Sequence, residues 1–120
     1  MLKLTNEALR ILRRARKTYG KRNQIIVSIE ECNELSAILA KFARYHEPAT
    51  AVEKLKPNVI DEVSDVLIVL EHVKAIFGIT DEDLCARMEK KIARLDKWLN
   101  TSNDIEQTTI DRKIPDSKDE

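Results

Sequence analysis

Apolar residues recur at intervals of three and four along four stretches of this chain, separated by short segments that carry both glycines and all but one of the prolines. That period is the signature of amphipathic helices, and a strand period of two does not develop anywhere. With two glycines and three prolines in 120 residues, there are too few turn formers to thread a sheet. The expected fold is all-α, a four-helix bundle-like protomer.

The first stretch runs from about Leu4 to Tyr19, with Leu4, Ala8, Ile11, Leu12, Ala15 and Tyr19 on one side and Gly20 as its stop. The second runs from about Arg22 to Tyr45 and ends before "HEPATAVEKLKP", where Pro48 and Pro57 break the pattern. The third is expected from about Asn58 to Phe77, ending at Gly78. The fourth opens on "TDED", in which Thr80 caps the helix and Asp83 returns the hydrogen bond. It continues through Leu84, Met88, Ile92, Leu95 and Leu99. One domain over residues 1–100 accounts for these segments, and residues 101–120, poor in apolar side chains, read as a flexible tail.

Several function classes drop out early. No apolar run approaches the roughly 20 residues needed to cross a bilayer, and arginines stand where a signal peptide needs its apolar segment. A cytoplasmic protein without a membrane partner is expected. Cys32 and Cys85 lie in apolar-periodic segments without CxxC spacing and are expected as buried free thiols. Charge balances at 21 acids and 21 bases, but the first 22 residues hold eight bases against Glu7 alone. The apolar side of that segment makes its basic side a solvated face, and no nucleic acid is expected as a partner.

The acids of "SIEECNEL" and "NVIDEVSDVLIVL" are placed less conventionally. On a wheel of about 100° per residue, Ile25, Ile29, Cys32, Leu35, Leu39 and Phe42 form an apolar arc on the second helix, extended by Val27 and Ile38. Glu31 falls inside that arc and Glu34 at its margin, while Glu30 turns outward. On the third helix Glu62 falls inside the arc of Val59, Val63, Val66, Val69, Leu70, Val73 and Phe77, and Asp65 at its margin. A carboxylate in an apolar interior costs several kcal/mol unless it is paired, protonated or metal-bound. Few bases lie on these inward arcs. Side chains three apart share a helix face, so Glu31 with Glu34 and Glu62 with Asp65 form two pincers that antiparallel neighbours would bring together. An all-carboxylate set suits a hard cation, magnesium or manganese, and magnesium commonly accompanies phosphates. A di-iron carboxylate site is a poor match, because neither motif has the ExxH spacing.

"EECNEL" followed by "DEVSDVLIVL" resembles the EExxE and ExxD signature of the MazG-like all-α nucleoside triphosphate pyrophosphohydrolases, and the resemblance extends over roughly residues 19–99. It implies magnesium-dependent hydrolysis of an NTP or dNTP between the α and β phosphates, with Glu31, Glu34, Glu62 and Asp65 as metal ligands. It also favours Glu31 or Glu34 as the group that orients or deprotonates water. Lys91 and Arg94 match the family's K..R pattern near the nucleotide, and Gln24 and Lys41 match recurrent polar positions. Beside them, Arg87 shares the basic shoulder of the fourth helix and Trp98 offers a surface on which a base can stack. His46 and His72 have no metal spacing and receive no role. Broad apolar arcs on so short a bundle call for a second copy, a homodimer or dimer of dimers, as the resemblance also implies. The alternative reading is a non-catalytic helical binding or regulatory module.

Overall fold

A computed structural model describes residues 2–45 and 48–105 and is all-α. Its helices are α1 (Asn6–Tyr19), α2 (Lys21–Ala43), α3 (Pro48–Phe77) and α4 (Asp81–Ile105). No helix among the described residues is long and apolar enough to cross a membrane. Contacts divide the chain into two compact units, residues 1–79 with α1 to α3 and residues 80–120 with α4.

The helix ends follow their local chemistry. The hydroxyl of Thr5 accepts the Ala8 N–H at 3.0 Å and caps α1. Gly20 closes α1 and opens α2 at φ 94°, ψ 152°, a backbone region essentially reserved for glycine, and its N–H reaches the Arg16 carbonyl at 2.9 Å. The Asn23 amide donates to the Tyr19 carbonyl at 2.7 Å, so the junction satisfies both backbone groups with almost no intervening loop. At the end of α3, Gly78 takes φ 66° and the Ile79 N–H reaches back to Lys74 at 2.9 Å, a Schellman closure. In the second unit Thr80 and Asp83 exchange hydrogen bonds at 2.9 and 3.0 Å, the expected reciprocal cap. The Thr80 backbone N–H and then its hydroxyl hold the Asp83 carboxyl below its ordinary range.

In the first unit α2 and α3 pack along their lengths and α1 lies against both. The link between α2 and α3 is too short for anything but an antiparallel hairpin. The inward row of α2 is Gln24, Ser28, Glu31, Leu35, Ile38 and Phe42, all buried or half-buried. That of α3 is Ala51, Leu55, Val59, Glu62, Val66, Val69, Val73 and Ile76. Both rows step by three and four, the 3.5-residue period that keeps two long helices in register.

Several expectations change here. Helix α3 starts ten residues earlier than Asn58, at Pro48, and runs through Pro57. Pro48 stands in the first turn, where the missing N–H costs nothing. An interior proline costs about 3 kcal/mol, but Ala51 and Leu55, at 0% and 4% exposure, continue the seam on its N-terminal side. Burial of a leucine alone is worth roughly 2 kcal/mol, which together with Ala51 and the added backbone bonds offsets the proline. The broad apolar arc of α2 is only partly buried: Ile29, Leu39 and Cys32 are exposed, and the seam runs one position earlier. On α3, Val63, Leu70 and Phe77 are likewise exposed. On α1 the half-buried residues are Ala8, Leu12, Ala15 and Arg16, whereas Ile11 and Tyr19 are exposed, as is Leu4, which precedes the helix. Both thiols, expected to be buried, are exposed: Cys32 lies on the apolar flank that the α2–α3 seam leaves uncovered, and Cys85 lies on α4, where the side chains of residues 81–101 are all exposed. Helix α4 continues to Ile105, over the first five residues of the segment expected as a tail; residues 106–120 lie outside those described.

Candidate metal centre

Halfway along the hairpin the two seams each carry a glutamate, Glu31 on α2 and Glu62 on α3. One turn on, Glu34 and Asp65 flank them. Each of the four offers one carboxylate oxygen, and these oxygens all lie within 4.8 Å of one another. Glu34 is exposed and the other three are half-buried, so the cluster opens at one rim. Glu30, the first acid of the run, is exposed, as the wheel indicates.

Compensation is missing on the protein side. The Oε1 atoms of Glu31 and Glu62 are buried with no hydrogen-bond partner, and among the described residues no lysine or arginine forms an ion pair with any of the four acids. Burial, followed by the charges of Glu34 and Asp65, pushes the Glu31 carboxyl above its ordinary value. Burial, then Glu34, Asp61 and Asp65, does the same to Glu62. These groups are held where ionisation is unfavourable. A hard cation would reverse that. Ligands on opposite sides of magnesium stand about 4.2 Å apart, and those across calcium about 4.6–5.2 Å. The observed span is thus close to what a single divalent ion of this class requires.

Of the remaining candidates, Gln24 and Lys41 share the first unit with the cluster. Gln24 is 7% exposed, two turns before Glu31 on the same seam, and its backbone carbonyl accepts the Ser28 hydroxyl at 2.7 Å. Lys41 is exposed and lies seven residues, about 10 Å, beyond Glu34 along α2. Lys91, Arg94 and Trp98 belong to the second unit, where their spacing sets them, with Arg87, along one exposed line of α4. His46 lies outside the described residues.

His72 acquires a role that its isolated position in the sequence gave no means of finding. It is 3% exposed on α3, and its Nδ1 is 3.0 Å from the Arg16 guanidinium of α1, which makes it a neutral acceptor. Burial first, and then the Arg16 charge, lower its pKa from 6.5. The folded state therefore resists protonation: the contribution of this contact to stability is complete above the unfolded pKa of about 6.5 and is lost as pH falls through the lower folded value. Thermal melts at pH 7.5 and 5.5 are expected to show a larger acid-induced loss in the wild type than in His72→Gln, which keeps an acceptor but cannot charge. Equal losses would remove His72 from the coupling.

Compared with known proteins, the chain matches no family model, no curated protein and no solved structure.

Proposed function

We propose that this chain hydrolyses a nucleoside triphosphate, NTP or dNTP, between the α and β phosphates, releasing a monophosphate and pyrophosphate. The observation that carries this reading is the convergence of two i, i+3 acid pairs into one four-carboxylate cluster with two unpartnered buried oxygens. The resemblance of the two motifs to the MazG-like signature supplies the reaction class.

In this reading Glu31, Glu34, Glu62 and Asp65 hold magnesium, with manganese as a substitute. A bound ion would supply charge neutralisation for the phosphates and activation of water. Glu31 and Glu62, fixed in the seam, set the position of the site, because the rows that carry them are packed against each other. Glu34, the exposed member of the four, stands at the rim from which this reading brings in the phosphate and water. Either Glu31 or Glu34 accepts the proton of the water as its oxygen bonds to phosphorus and the α–β bridge breaks. Four carboxylates and a triphosphate carry more negative charge than one divalent ion cancels. Lys91 and Arg94 are the proposed phosphate ligands, Trp98 a stacking surface for the base, and Gln24 and Lys41 further polar contacts. A cytoplasmic setting fits this chemistry.

The test is incubation with a panel of NTPs and dNTPs and magnesium, with pyrophosphate and orthophosphate measured separately. Pyrophosphate in step with monophosphate is expected. Orthophosphate alone, or magnesium binding without turnover of any nucleotide, overturns the reading, and the second outcome points to a binding module.

A further inference from the structure

Helix α1 turns Ala8, Leu12, Ala15 and Arg16 towards the rest of its unit, and these are its half-buried residues. On a wheel of about 100° per residue, Arg10, Arg13, Arg14 and Lys17 share an arc about 100° wide on the opposite side. All four are exposed, and Lys21 and Arg22 follow, also exposed, in the first turn of α2. The one acid of α1 is Glu7, and it is already paired with Arg10. Among the described residues Arg13, Arg14, Lys17, Lys21 and Arg22 have no ion pair. This arrangement works against the fold. Arg10 with Arg13 and Arg14, and Arg13 and Arg14 with Lys17, are like charges three or four positions apart, which destabilise a helix. Lys21 and Arg22 stand at the end of α2 where the helix dipole disfavours positive charge. A face kept only for solvation does not require this, as α4 shows: over residues 81–101, all exposed, five acids stand with five bases. Residues 1–22 also hold five of the chain's nine arginines, and the planar guanidinium is the cation best matched to phosphate.

We infer that the outer side of α1, continued by Lys21 and Arg22, binds the phosphate backbone of a double-stranded nucleic acid without reading its sequence. This takes the place of the solvated face expected from the sequence, which follows from the apolar side of α1 and leaves the unpaired bases unexplained. The composition of the arc selects among polyanions: its other member is Asn6, and it carries no apolar or aromatic side chain. A helix that lies on a membrane inserts an apolar face. Here Ala8, Leu12 and Ala15 are turned to the hairpin, and the exposed Leu9 and Ile11 stand on opposite edges of the helix, about 160° apart. A protein partner draws on apolar and aromatic anchors at the centre of its interface, and a single strand gains affinity by stacking its bases on aromatic rings. A duplex backbone requires neither. It presents a phosphate about every 3.4 Å along each strand, so the roughly 10 Å from Arg10 to Lys17 spans three of them. Contacts to phosphate fix position and carry no sequence information. DNA and RNA duplexes share this chemistry. The bases lie apart from the four acids in sequence and on the outer side of α1, so the inference stands whether or not the chain hydrolyses a nucleotide.

The test is fluorescence anisotropy of the full chain with a labelled short duplex of mixed sequence, once as DNA and once as RNA, and with the single strand of the same length. EDTA keeps divalent ions from the acids and from the phosphates. Binding to the duplex is expected with a Kd of about 1–100 µM at physiological salt, the range of sequence-independent contacts. Log K is expected to fall with log salt at a slope of about −4.5, since each of the five unpaired bases neutralises a phosphate at about 0.9. Arg13→Gln/Arg14→Gln/Lys17→Gln changes exposed positions only, and is expected to reduce that slope by about 2.7 and the affinity by more than about 10-fold, with helicity unchanged. Lys54→Gln/Lys56→Gln, at two exposed bases of α3 in the same unit, is expected to leave the slope as it is. Equal affinity for the two duplexes supports the inference, and a preference for one supports it and names the source. No saturation by either duplex at low salt, or a slope that the triple variant leaves unchanged, overturns it. So does tighter binding to the single strand, or binding to vesicles containing phosphatidylglycerol but not to duplex. If the triple variant loses helicity, Arg14→Gln alone, with an expected reduction in slope of about 0.9, decides.

Discussion

Glu34→Gln and Asp65→Asn are each expected to lower pyrophosphate release by more than the 10–100-fold typical of losing a partner outside a metal's own ligands, with the far-ultraviolet circular dichroism unchanged. The two side chains flank the seam and do not fill it, Glu34 being exposed and Asp65 half-buried. Their amides have nearly the same volume, so no cavity opens and the helices keep their packing. What changes is the charge and number of the oxygens facing a cation. Activity retained in either variant removes that residue from the site, and activity retained in both removes the metal centre from the proposed reaction.

Glu31 and Glu62 are expected to behave in the opposite way towards stability. Their folded pKa values are raised from 4.5, so the folded chain holds their protons more tightly than the unfolded chain does. At neutral pH both are ionised when unfolded, and ionisation in the fold works against it; below about 4.5 this penalty is gone. Without metal, Glu31→Gln or Glu62→Gln should therefore melt higher than the wild type at pH 7.5. With magnesium the order should change. A ligand at 100 times its Kd stabilises by about 2.7 kcal/mol, which for a unit of this size is a rise on the order of 10 °C. The wild type is expected to show such a rise on passing from EDTA to magnesium, and the glutamine variants to show little. Melting curves in the two buffers settle both halves: an unresponsive wild type excludes the ion, and a glutamine variant that melts lower in EDTA excludes the uncompensated charge. As pH falls, His72 and these glutamates act with opposite signs, so the His72 comparison is made between chains that share the same acids.

Much of this was readable from the residues. Gly20 and Gly78 take positive φ where the apolar rhythm stops, and Thr80 and Asp83 form the cap that their spacing announces, because these are local contacts whose partners lie within a few positions. The pairing of Glu31 with Glu34 and of Glu62 with Asp65 is equally local, fixed by the turn of a helix. The limits were local too. Pro57 reads as a break because propensity assigns it a cost, and only the buried row through Ala51, Leu55 and Val59 shows that the helix continues across it. Likewise, the wheel places Cys32 and Leu39 beside Leu35, with no means of telling which of them meets a neighbour.

The sequence by itself determined that this chain forms helices, where most of them end, and that two of them each direct a pair of carboxylates along one face. Only the tertiary structure decided which row of each broad apolar arc became the seam. A seam between two helices uses a row about one residue wide, repeating every 3.5 residues, whereas the arcs of α2 and α3 are wide enough to offer more than one. Packing chose the rows containing Glu31 and Glu62, and so brought four acids from positions 31 to 65 within 4.8 Å of one another. The same choice left Ile29, Leu67 and Phe77 uncovered on the other side.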